Sequence, residues 1–78
     1  MMTLNELTNM MWYATDIIVI KKEPKSVLNY TANIEEIRRH AIFDGTNAML
    51  RSDVYKDLRS RQIMSFGAIG NYIIITLK

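Results

Sequence analysis

Two stretches of this chain, Ile17 to Ile20 and Tyr72 to Ile75, carry apolar side chains at every consecutive position. Successive side chains of a strand point to opposite faces, so a strand with one wet face alternates apolar and polar residues. Runs without alternation need cover on both faces. That is a severe demand on 78 residues, because a chain this short buries only about 60% of the surface it exposes when unfolded.

The remaining sequence offers helices to supply part of that cover. Thr3 followed by Glu6 forms a capping box, and Leu4, Leu7, Met10, Met11 and Ala14 make one apolar stripe at helical spacing. Strand one is expected over residues 16–22, then a turn at Pro24 and an antiparallel strand over residues 27–31. Asn33 with Glu36 caps a short helix, IEEIRRHA, in which Glu35 faces Arg39 and Glu36 faces His40 at the favourable spacing of four. Residues 42–51 read equally as short strands or as a loop. Ser52 caps a third helix, DVYKDLRS, with Val54, Tyr55 and Leu58 turned inward.

QIMSF and NYIIITL close the chain as a hairpin connected through Gly67, Ala68, Ile69 and Gly70. The sum is one small α+β domain over residues 1–78: a mainly antiparallel sheet of about four strands, with an N-terminal helix and one or two further short helices on one face. Three short helices cover one face of such a sheet. The second face points to a homo-oligomer or a partner protein, with Ile73 and Ile75 at the interface, unless residues 44–51 fold over it.

Cysteine is absent, which excludes disulfides, thiolate metal sites and a cysteine nucleophile. The opening MMTLNELTNMMW has no basic start and no continuous apolar stretch, and no apolar run is long enough to span a bilayer. A cytoplasmic protein without membrane association is expected. His40 is the single histidine, so no His/Cys metal cluster exists, and paired with Glu36 it reads as an exposed helix-end residue rather than a proton carrier. No nucleophile elbow or phosphate loop appears, and Glu35 and Glu36 diverge on a helix. We expect no enzyme, no cofactor, no metal and no small-molecule substrate.

The ten basic residues give a net charge of +2, and all of them follow residue 20. Arg38, Arg39, Arg59 and Arg61 are candidate contacts to a phosphate backbone or to an acidic protein surface. Glu35, Glu36, Asp53 and Asp57 lie among them and offset much of that field. Trp12, with Met10, Met11 and Tyr13, is a candidate partner contact, since methionine repacks readily and aromatic residues anchor interfaces.

The opening TLNEL, then TDIIVI and VLNYT, with DLRSRQIMSF and NYIIITL at the close, resembles a loose group of small proteins encoded by phages and mobile elements of Gram-positive bacteria. Some small mobile-element proteins of this type inhibit host defence nucleases, anti-CRISPR proteins among them. The resemblance implies a non-enzymatic interaction module, acting on a host or phage protein in the cytoplasm of a bacterial host. Direct nucleic-acid binding through the same four arginines is the alternative.

Overall fold

A computed structural model describes residues 2–21 and 34–78. Chain order is α1 (Leu4–Thr8), β1 (Asp16–Ile20), α2 (Ile34–Arg39), β2 (Ala41–Thr46), α3 (Asn47–Leu50), a 3-10 turn (Asp53–Tyr55), α4 (Lys56–Arg59), β3 (Ile63–Ile69) and β4 (Tyr72–Leu77). The strands form one four-stranded sheet in the order β2-β1-β4-β3. The protein is α+β, as the sequence indicates, but its sheet is mixed. β1 pairs antiparallel with β2 and β4 with β3, whereas the central pair, β1 with β4, is parallel.

That order explains the two doubly apolar runs: they are the two central strands. Ile17 lies beside Ile73 and Val19 beside Ile75 on one face, while Ile18 lies beside Ile74 on the other. The first face packs with Leu4, Leu7, Phe43, Leu50, Ile63 and Leu77, flanked by Tyr55 and Leu58. The second packs on Ile37, with Ile34 beside it. Helices therefore cover both faces, where the sequence led us to expect one. Among the described residues, the buried patch on the second face is Ile18, Ile20 and Ile74 with Ile37 of α2.

Ile75 is fully buried within this single chain and Ile73 is half-buried against the same core. Both lie on the face covered by α1 and α3. Ile75, expected at an oligomer interface, has no surface exposed in the single chain.

Several elements differ from the sequence reading in ways that have local causes. The capping box forms as expected, with Glu6 N donating to Thr3 Oγ1 and Thr3 N to Glu6 Oε1, each at 3.1 Å. The helix nevertheless stops at Thr8, and Met10 and Ala14 are exposed rather than part of a buried stripe. Residues 42–51 resolve into β2 and α3, with Phe43 opposite Val19 in the core. The third helix splits into a 3-10 turn and α4, and Val54 points outward at 83% exposure while Tyr55 and Leu58 pack as expected.

β3 continues through Gly67 to Ile69, so the hairpin connection is only Gly70 and Asn71. Gly70 has φ of 58°, the left-handed conformation that a two-residue hairpin turn demands. Outside the described residues lie the expected turn at Pro24, the strand over residues 27–31 and the cap at Asn33. Among the described residues no helix is long and apolar enough to cross a membrane.

Candidate functional site

α1 is followed by a loop, residues 9–15, that the sequence did not foresee. Its shape is set from a distance by Asn47, the first residue of α3, which is 2% exposed. The Asn47 side-chain amide donates to the carbonyls of Thr8 at 2.9 Å, Met11 at 3.0 Å and Trp12 at 3.3 Å. Backbone bonds extend the same clamp: Asn47 N to Thr15 O at 2.9 Å and Ala48 N to Tyr13 O at 3.1 Å. Asn47 Oδ1 is buried without a hydrogen-bond partner among the described residues. Thr8 O and Trp12 O also accept from the amides of Met11 and Thr15, each at 3.1 Å, and Asn47 adds a buried donor to them and to Met11 O.

This loop displays the largest exposed apolar side chains of its end of the molecule: Met10 at 69%, Trp12 at 77% and Tyr13 at 68% exposure. Only Met11 turns in, packing against the core. Bulky side chains on a backbone fixed by buried hydrogen bonds lose little freedom on binding, which favours their use as anchors.

Arg51 closes the base of the loop. Its guanidinium donates to Asn5 Oδ1 at 3.0 Å and to Asn9 Oδ1 and Thr8 Oγ1. These partners are neutral. Burial, and then the neighbouring Arg59, pull the Arg51 guanidinium below the usual arginine range, with Tyr13 acting in the opposite sense. Thr8, Asn9, Trp12 and Asn47 line a shallow cleft of about 210 Å³ beside it.

The four arginines singled out from the sequence do not form one patch. Arg38 and Arg39 lie on α2, over the face of the sheet that carries Ile18 and Ile74. Arg59 belongs to α4, whose Leu58 packs on the opposite face, and Arg61 follows it. The sheet separates the pairs.

Three of the four are also committed within the chain. Arg38 Nε meets Asp44 at 3.1 Å, and its guanidinium lies 4.7 Å from the ring centre of Tyr72. Arg39 meets Glu36 at 3.3 Å, and Arg59 donates to the carbonyls of Leu50 at 2.6 Å and Ser52 at 2.7 Å, closing the end of α3. Arg61 is exposed, and its carbonyl accepts from Leu4 N at 2.8 Å. His40 is half-exposed with its Nε2 3.7 Å from Glu36, as the spacing of four suggests.

Trp12, with Tyr13 beside it, is therefore a sequence-derived contact residue that is both prominent and set on a backbone held by another element. Of the two residues that do the holding, Arg51 read in the sequence only as one of the basic residues bracketing the third helix, and Asn47 was not singled out. Asn47 sits between Thr46 and Ala48 on no recognisable motif, and only its long-range contacts give it a role. No protein-family model, curated protein or solved structure matches this chain.

Proposed function

We propose that this chain is a small non-enzymatic interaction module that binds and modulates another protein through the loop carrying Met10, Trp12 and Tyr13. The observation that carries this reading is the contrast within that loop: three large apolar side chains are mostly exposed while the backbone beneath them is pinned by a buried asparagine. An exposed tryptophan on a held backbone is costly in water and useful only in contact.

The class of partner follows from the sequence resemblance to small phage and mobile-element proteins of Gram-positive bacteria. It points to a host or phage protein met in the bacterial cytoplasm, a defence nuclease being one such target. Direct nucleic-acid binding is the less supported reading, since Arg38, Arg39 and Arg59 each have partners in the chain and the four arginines divide between opposite faces. Phosphate binding draws on several convergent cations.

The test is capture from a lysate of a Gram-positive host, with and without nuclease treatment, by the wild-type chain and by W12A. Retention of one defined protein by the wild type and its loss with W12A supports the module. Equal capture by both, or recovery of nucleic acid alone, overturns it.

A further inference from the structure

β3 is an edge strand of the sheet, and its outer side, unpaired beyond Ile63 among the described residues, has an unusual character. Edge strands are normally protected by charge or proline against pairing with another chain. Residues 63–70, IMSFGAIG, contain neither. Met64 and Phe66 are each 59% exposed, and Ala68 is exposed beside them. The opposite edge strand, β2, carries Asp44 and its ion pair with Arg38.

The hairpin register fixes which backbone groups face outward. Ile69 and Tyr72 close the two-residue turn, so the pairs that exchange hydrogen bonds within β3 and β4 are Ile69 with Tyr72, Gly67 with Ile74 and Ser65 with Thr76. Phe66 and Ala68 alternate with these, and their amides and carbonyls point away from β4. At the start of the strand the edge is already taken, because Ile63 N donates to Met2 O at 3.0 Å, and a bulge follows between Ile63 and Ser65. The regular free edge is therefore short and centred on Gly67.

We propose that two copies of this chain associate through β3, antiparallel, about a two-fold axis at Gly67, joining their sheets into one. A two-fold at this position pairs all the outward groups of both copies, Phe66 with Ala68 of the second copy and the reverse. It also sets a large side chain against a small one on each side of the axis, on the face shared with Ile73 and Ile75. Isologous contacts of this kind need a self-complementary patch, and this edge has one.

Gly67 supports the same arrangement. Its backbone is not left-handed, and a Cβ built there meets nothing within 4 Å, so the chain's own fold does not require glycine. A glycine inside a strand weakens it, and often marks close approach by another backbone. The pairing brings Gly67 directly opposite its own copy. This inference stands whether or not the Trp12 loop binds a partner.

The experiment is mass determination in solution over a wide concentration range, for the wild type and for two variants. A68P removes one outward amide without touching a bond to β4, and F66K places charge on the edge. The wild type is expected to reach twice 9.1 kDa as concentration rises, and both variants to stay at the single mass with unchanged circular dichroism. A wild type that stays monomeric at all concentrations, or open-ended assemblies, overturns the proposal. Should a variant unfold, amide exchange on the wild type decides: the Phe66 and Ala68 amides slow with concentration if β3 pairs, and exchange at a constant rate if it does not.

Discussion

Asn47 donates its side-chain amide at 2.9 Å to the carbonyl of Thr8, a residue 39 positions earlier, while leaving 2% of its own surface exposed. Through that bond and two like it, the start of α3 dictates where α1 ends and how the following loop is presented.

Replacing Asn47 by alanine takes the donor from Met11 O and one of two donors from Thr8 O and Trp12 O, which keep backbone bonds from Met11 N and Thr15 N, and a buried group left unsatisfied costs about 1–3 kcal/mol. We expect N47A to lower the unfolding free energy by about 2 kcal/mol in urea titration. N47D, which sets a carboxylate against the same carbonyls, is expected to cost more than N47A. A stability unchanged in N47A would show that the clamp does not hold the loop.

Trp12 makes the opposite case. With 77% of its surface exposed, its removal takes little from the core, and surface substitutions usually change stability by within about 0.5 kcal/mol. W12A should therefore melt with the wild type while losing the captured partner. A large fall in melting temperature would place Trp12 in the fold rather than in recognition.

Ile75 is fully buried between helices and sheet. Truncating a buried isoleucine to alanine costs roughly 2–5 kcal/mol through lost transfer energy and the cavity left behind. For a domain this small that is a large share of the total stability. I75A is expected to be largely unfolded or to melt far below the wild type, measured by circular dichroism at a fixed dilute concentration.

Arg38 reaches across the second face to both Asp44 and Tyr72, with about 40% of the ion pair's side-chain surface exposed on each partner. Water and salt screen such a pair, so D44N should cost at most about 1 kcal/mol, less in high salt. R38K, which keeps the charge but loses the planar group over the tyrosine ring, should lose part of the remainder. A double-mutant cycle between positions 38 and 44 measures the coupling.

Gly70 carries φ of 58° in the hairpin turn, where an added Cβ meets open space but the backbone itself is unfavourable for an L side chain. G70A should destabilise by about 1 kcal/mol, and G70N by less because asparagine visits that conformation more readily. Equal stability of the two would locate the cost elsewhere.

The residues that signal structure locally were legible in advance. The Thr3 and Glu6 capping box, the helix around Ile37 and the closing hairpin all depend on neighbours within a few positions. The runs at Ile17 and Ile73 also announced that both faces needed cover. What supplied it was not legible, because the partner of β1 is chosen by long-range packing rather than by local propensity. IFDGT reads equally as strand or as loop until Phe43 is set opposite Val19. Of the candidate site, Trp12 was readable as an anchor by residue type, whereas the arginines could be sorted into structural and exposed only once α2 and α4 were placed on opposite faces.

The parallel register of Ile17 with Ile73 ties the first strand of the sheet to the last. A chain emerging from the ribosome can form α1 and β1 early, yet the strand that completes the centre of this sheet is made after its other three strands. Closing so long a loop before its contacts repay the entropy makes folding slow relative to helical chains of this size. Until β4 arrives, the β1 edge that carries Ile17 to Ile20 has no partner on that side, so the nascent sheet is most vulnerable to aggregation and proteolysis in the interval before β4 is delivered.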